Sequence, residues 1–217
     1  MRGEGKIQKR RGGDGDLPSH ASRLTPHASS KAQHSKVRII AGEWRGRLVD
    51  FPQAEGLRPT PDRVRETLFN WLGQTLDGKT CLDLFAGSGA LGFEALSRGA
   101  RRVVMAEQNP QVLKSLRENA RKLGADRLDL VAGDGLKTLS REGEAFDVIF
   151  LDPPFHHGIL PLLLPLLSDR LAPDGLVYAE TEQALEPGEG WEVWRSGRAG
   201  KVFYCLLKRK TEGHDGA

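Results

Sequence analysis

The strongest constraint on this chain is an alternation that begins at residue 80 and continues for a hundred residues. Apolar runs at 80–85, 102–106, 128–131, 146–151 and 176–179 are separated by stretches of helical spacing at 89–98, 110–123, 135–141 and 158–170. Runs that are apolar at consecutive positions suit strands buried on both faces, and strands that alternate with helices are joined in parallel by crossovers. The expected fold is therefore α/β, a doubly wound, mostly parallel sheet with helices on both faces. Two further strand-like runs, 191–195 and 201–207, are joined by residues 196–200, a Gly-containing segment too short for a crossover. They must pair antiparallel, which brings the sheet to seven strands ending in a C-terminal hairpin.

The flanks read differently. Residues 1–36 are rich in Gly, Ser, His, Lys and Arg and show no hydrophobic period, as expected of a disordered basic tail. They hold eight Lys or Arg against three acids, while 37–217 holds 24 basic and 26 acidic residues. The net charge of +3 is thus a property of the tail, and local clusters must carry any argument for nucleic acid. His20, His27 and His34 recur seven apart, but with no cysteine or framework around them they read as solvated, and no metal is expected. Residues 37–57 suggest a small β-hairpin, with strands at 37–41 and 47–51 around the loop 42–46. In 58–72, Thr60 is a plausible helix cap, Pro61 suits the first helical position, and Val64, Leu68, Trp71 and Leu72 recur on one face. The main domain is expected over 58–210, with a flexible C-terminus at 211–217.

The longest apolar run, 159–167, is too short to span a bilayer and contains Pro161 and Pro165. The amino terminus lacks the apolar stretch of a signal peptide, so a cytoplasmic monomer with no membrane contact is expected. Cys81 and Cys205 both lie in apolar runs and read as reduced core thiols.

The first strand of the alternation ends in CLDLFAGSGALG, where Gly87, Gly89 and Gly92 satisfy G-x-G-x-x-G between a strand and a helix. Such glycines permit a tight turn and close approach of a ligand to the helix N-terminus. Glu107 follows at the end of the second strand, where a carboxylate can accept from both hydroxyls of a ribose. This constellation fits NAD, FAD or S-adenosylmethionine. Asp83, inside the first strand, would repel a pyrophosphate and attract an ammonium, which favours the last. Asp134, in AGDG after the third strand, serves either as acceptor for an adenine amine or as a plain helix cap.

Ligands of open α/β sheets sit outside the carboxyl ends of the strands. The fourth strand ends there in FLDPPF, residues 150–155, a loop poor in donors because Pro153 and Pro154 have no N–H. Its acceptors suit an exocyclic base amine. If Asp152 and the Pro153 carbonyl each accept one N–H, the nitrogen lone pair is turned towards an electrophilic methyl, while Phe155 stacks on a base drawn out of its helix.

These residues carry a resemblance. DLFAGSGALGFEALSRGA and LDPPF resemble the class I S-adenosylmethionine-dependent methyltransferases that modify amino nitrogens, an assignment with which the closing antiparallel hairpin agrees. GEWRGRLVDFP and LRPTPDRVRETLFNWL are similar to the family that methylates N2 of guanine 966 in 16S ribosomal RNA. The resemblance covers 37–207 and implies a Rossmann-like domain. It also implies a base-binding loop at Asp152, Pro153, Pro154 and Phe155, and cofactor contacts at Asp83, Phe85, Gly87, Gly89, Glu107 and Asp134.

Arg45, Arg47, Arg58, Arg63 and Arg65 cluster ahead of the sheet, with Trp44 available to stack, and are expected to touch RNA. Arg195, Arg198, Lys201, Lys208, Arg209 and Lys210 form a second run without an intervening acid. The partner is expected to be 16S ribosomal RNA, free or within an assembling small subunit. The competing readings are a DNA adenine N6-methyltransferase, a nicotinamide-dependent oxidoreductase and a non-catalytic RNA-binding module.

Overall fold

The chain arranges its apolar runs as the central strands of one sheet. β3 (Thr80–Asp83), β4 (Arg102–Glu107), β5 (Leu128–Ala132), β6 (Phe146–Leu151), β7 (Leu171–Thr181), β8 (Trp191–Ala199) and β9 (Val202–Arg209) stand in the order β5-β4-β3-β6-β7-β9-β8. The pairs from β5 to β7 are parallel; β9 runs antiparallel to both β7 and β8. The expected seven-stranded, mostly parallel sheet with a C-terminal hairpin is therefore present. The computed structural model describes residues 34–53, 57–141, 143–153 and 158–210. The expected tail up to residue 33 and the C-terminus from 211 lie outside them.

Consecutive apolar residues are needed because side chains alternate between two covered faces. Cys81, Val103, Met105, Val148, Phe150 and Tyr178 join one core, with α1 (Asp62–Trp71), α2 (Ala90–Ser97) and α3 (Pro110–Leu123) supplying Leu68, Phe93 and Leu116. Leu82, Val104, Ile149, Leu151 and Val177 join the other, against α4 (Gly135–Arg141) and α5 (Leu160–Leu167) with Leu139, Leu163 and Leu167. Pro165 lies inside α5, which gives way at once to a 3-10 turn, Ser168–Arg170. A proline that removes a helical donor explains so short a helix.

The N-terminal hairpin forms from β1 (His34–Arg38) and β2 (Leu48–Pro52), paired antiparallel with Val37 opposite Val49. The first strand thus begins three residues before the expected position and takes in His34–Lys36. Val37, Ile39, Trp44, Val49 and Phe51 are buried in the same core as α1 to α3. Polar bonds tie the hairpin down as well. Glu94 of α2 is fully buried, and its Oε2 accepts from the Ile40 N–H at 2.8 Å and its Oε1 from the Ala41 N–H at 3.0 Å.

α1 is capped without a side chain: Pro61 occupies the cap position and Thr60 makes no cap hydrogen bond. The expected Thr60 cap is thus incorrect. The buried Thr60 hydroxyl instead faces the carboxyls of Asp152 and Glu180. A tertiary demand has overridden a local preference.

Candidate active site at the carboxyl ends of the strands

β4 and β5 extend the sheet to one side of β3, and β6 begins the other. That reversal of strand order opens a crevice at the carboxyl ends of β3 and β6. Asp83 ends β3 and Asp152 follows the last residue of β6.

The turn after β3 requires its glycines. Gly87 and Gly89 have φ of +50° and +78°, and Gly89 is the left-handed residue that starts α2. A Cβ on Gly89 would stand 2.6 Å from the Phe93 ring, and one on Gly92 would stand 2.1 Å from Met105 Cε. The third glycine therefore lets α2 press onto β4. The turn's amides are largely engaged within the protein. Gly87 donates to Glu107 Oε2 at 3.0 Å, Gly89 to the Ala86 carbonyl at 2.7 Å, and Ala90 to Ser88 Oγ at 3.3 Å. A pyrophosphate would need such donors free.

Glu107 is half-buried and accepts also from the Asn109 N–H, at 2.7 Å to Oε1. Each carboxylate oxygen keeps further lone pairs for a ligand. Asp134 is exposed, and its Oδ1 accepts from Leu136 N–H at 2.9 Å and Lys137 N–H at 3.3 Å. Its Oδ1 thus caps α4, one of the two expected roles. Phe85 is half-buried against the α4–α5 side of the sheet, and its N–H favours the charged form of the Asp83 carboxyl.

Asp83 is 1% exposed, and its Oδ1 has no hydrogen-bond partner. Burial pushes its carboxyl up to about 7, and the charge of Glu107 adds to the rise, against hydrogen bonds from the Phe85 and Gly92 amides. A buried acceptor without a donor is expensive unless a ligand supplies one. The atom fits the ammonium of S-adenosylmethionine.

Asp152 belongs to the same crevice. Burial raises its carboxyl well above the usual range, the charges of Glu180 and Asp83 raise it further, and a hydrogen bond from Thr60 opposes them. Glu180, near the end of β7, is also raised by burial, while hydrogen bonds from Tyr178 and Thr60 favour its charged form. The Tyr178 hydroxyl donates to Glu180 Oε1 at 2.7 Å. Pro153 is buried, and Pro154 and Phe155 lie outside the described residues. Glu180, Tyr178 and Thr60 were not expected here. Their trace in the sequence is Tyr-x-Glu in an apolar strand, two positions on one face.

The arginine cluster divides. Arg45, Arg47, Arg58 and Arg63 are exposed, with Arg47 donating to the Lys122 carbonyl at 2.6 Å. Arg65 is 1% exposed and donates to Glu94 Oε2, Asp62 Oδ1 and the carbonyls of Arg38 and Thr60. Its expected RNA contact is therefore incorrect, because its guanidinium neutralises a buried carboxylate shared with Arg98. Trp44 is 4% exposed and unavailable for stacking. A groove of about 450 Å³ runs between Lys36, Phe51, Leu57 and Arg58, and Leu57 approaches the glycine turn at Gly87. A cavity of about 540 Å³ lies beside Asp77, Arg98 and Gly99, near the amino ends of β3 and β4, and takes no part in this site.

On the C-terminal hairpin, Arg195 lies over the Trp194 ring at 4.7 Å and Arg198 over Phe203 at 4.8 Å. Lys208 pairs with Glu192 at 3.1 Å, and Arg209 donates to the carbonyls of Ser168, Ala172 and Pro173. Those two cations are engaged within the fold.

Residues 37–208 match the model of the family described as conserved hypothetical protein 95. Over 197 residues, 86% of this chain and 98% of the relative, the chain is 42% identical to ribosomal RNA small subunit methyltransferase D of Escherichia coli K12. The protein of the same name from Haemophilus influenzae is 42% identical over 192 residues, 85% of this chain and 97% of that one. Among solved structures, the yhhF protein of Escherichia coli superposes with a TM-score of 0.73 at 41% identity, covering 82% of this chain and all of that one. A hypothetical protein of Thermus thermophilus superposes at 0.66 with 31% identity, covering 78% and 98%.

Proposed function

Because the chain belongs to the ribosomal RNA small subunit methyltransferase D family, we propose that it methylates the exocyclic N2 amine of a guanine in 16S ribosomal RNA, with S-adenosylmethionine as donor. The observation that carries this reading is the position of Asp152, just after β6, beside the end of β3 with Asp83 and the glycine turn that follows it, across the reversal of strand order.

Each residue then has a task. Asp83 Oδ1 receives the donor's ammonium, and Glu107 the ribose hydroxyls. Asp152 Oδ and the Pro153 carbonyl accept the two N–H groups of the amine, whose lone pair is otherwise delocalised into the ring. Held in this way, the nitrogen moves towards tetrahedral geometry and its lone pair aims at the methyl. S-adenosylmethionine, when bound, supplies a methyl on a positively charged sulfur.

Arg45, Arg47, Arg58 and Arg63 hold the RNA backbone outside the crevice. Single-stranded or splayed nucleotides suit such a site, since the base must leave its stack to reach Asp152. A ribosomal substrate agrees with the cytoplasmic location expected from the sequence. A nicotinamide cofactor is disfavoured by the engaged amides of the glycine turn and by Asp83 beside them.

The test is methyl transfer from labelled S-adenosylmethionine to small subunits and to naked 16S RNA, both from cells lacking the activity, with the product mapped by primer extension. Label at a guanine N2 supports the reading, and the comparison of the two substrates shows which form is used. Label at any other atom of the RNA, or none, overturns it.

A further inference from the structure

Three carboxyl groups, two buried and that of Asp152 half-buried, meet at the carboxyl ends of neighbouring strands. β6 and β7 run parallel with Phe150 opposite Tyr178 and Leu151 opposite Ala179, so the next step along both sets Asp152 beside Glu180. Asp83 closes β3, the strand on the other side of β6. Asp83 is 1% exposed and Glu180 4%.

Their hydrogen bonds do not suit three charges. Asp83 Oδ1 has no donor. The Thr60 hydroxyl lies where it favours the charged form of both Asp152 and Glu180, and it has a single proton to offer the two. The Tyr178 hydroxyl adds one donor, to Glu180. The other titratable groups around the cluster are Glu107 at the end of β4, acting on Asp83, and Tyr204 of β9, paired opposite Glu180. None of these described groups is a cation, and Arg65, which donates to the Thr60 carbonyl, is paired with Glu94 and Asp62. In such surroundings a carboxyl retains its proton, and Asp83, Asp152 and Glu180 are all raised in that direction, Asp83 to about 7.

We infer that Asp83, Asp152 and Glu180 form a proton store governed by the charge of the methyl donor: protons leave the cluster when the cationic donor binds, and the proton given up by the amine returns to it at Asp152. The inference rests on the function proposed above. A positive sulfur and an ammonium placed among these carboxyls favour their ionised forms, and protons pass to solvent. Asp152 is thereby an unprotonated acceptor when the amine arrives. As the amine's lone pair forms the N–C bond and the C–S pair returns to sulfur, the positive charge moves to the nitrogen. An N–H bond then breaks, its electron pair stays on nitrogen, and the proton forms an O–H bond on Asp152. Sulfur is now neutral, and the cluster again holds a proton. Glu180 acts in this through Thr60 and Asp152, as a positioning residue.

The experiment is calorimetric titration of the full chain at pH 7 in phosphate and in Tris, which differ in heat of ionisation, with S-adenosylmethionine and separately with S-adenosylhomocysteine. S-adenosylmethionine should release protons, read as binding heats that differ between the two buffers. S-adenosylhomocysteine, with uncharged sulfur, should release less. Glu180→Gln, checked for a cooperative melting transition, should lower the release; an unaltered release removes Glu180 from the store. Binding of S-adenosylmethionine with equal heats in the two buffers, or equal release by both ligands, overturns the inference while leaving the proposed function standing. Absence of S-adenosylmethionine binding overturns the proposed function itself, and the inference with it.

Discussion

The Gly87 N–H donates to Glu107 Oε2 at 3.0 Å across twenty residues of sequence. This bond ties the glycine turn after β3 to the end of β4, so the two cofactor-side features are one device. Glu107→Ala removes the ribose acceptor and also frees the Gly87 amide. S-adenosylmethionine affinity should fall by about 1–3 kcal/mol, measured by equilibrium titration. Unchanged affinity in a folded variant removes Glu107 from the site.

Gly92→Ala places a methyl where Met105 Cε already lies, 2.1 Å away, between α2 and β4. Destabilisation of about 1–3 kcal/mol in chemical denaturation is expected, because a packed helix–strand contact must open. A neutral outcome would mean that the Met105 side chain, flexible at its end, swings aside without loss.

How much of this was legible in the sequence depended on the range of each interaction. The sheet was readable because buried parallel strands need consecutive apolar residues, and β6 occupies the expected 146–151. The glycine turn and Asp152 were readable because each sits at a strand end. Arg65 was not: its burial depends on Glu94, twenty-nine residues away on another helix, and its neighbours Arg63 and Glu66 are exposed. Thr60 carried the signal of a helix cap, and only the meeting of β6 and β7 shows its hydroxyl facing two carboxyls. Glu180 was hidden for the same reason, since its closeness to Asp152 follows from strand register and not from spacing.

The divided arginine cluster gives opposite outcomes for near neighbours. Arg65→Ala leaves Glu94 with one cation fewer in a buried site and should destabilise the fold by about 3–5 kcal/mol. Arg58→Ala and Arg63→Ala should leave the melting temperature nearly unchanged. Each that contacts a phosphate should lower the dependence of log affinity for RNA on log salt by about 0.7. Reversed results would place Arg65 on the RNA surface.

Stability of the ligand-free protein should depend on pH through Asp83. Its carboxyl is raised to about 7 in the fold. The folded state therefore holds this proton more tightly than the unfolded chain does. The associated stability is fully present below about pH 4, where both states are protonated, and is lost as pH rises through about 7. Asp152 and Glu180 act in the same direction. Melting temperature should thus fall from pH 5 to pH 8, and Asp83→Asn should flatten that fall. An equal slope in the variant would show that Asp83 is already ionised at pH 5.

The central claim is that the main task of Asp152 is to hold the amine, and Asp152→Ala separates that task from donor binding. One acceptor is lost, while the Pro153 carbonyl, the glycine turn and Glu107 stay in place. The measurement is single-turnover methyl transfer to small subunits beside equilibrium titration of S-adenosylmethionine. The rate should fall by about 100-fold or more, because orientation and charge act mainly in the transition state, with donor affinity changed by no more than about 3-fold. A near-normal rate would contradict the account, reducing Asp152 to the residue that closes β6.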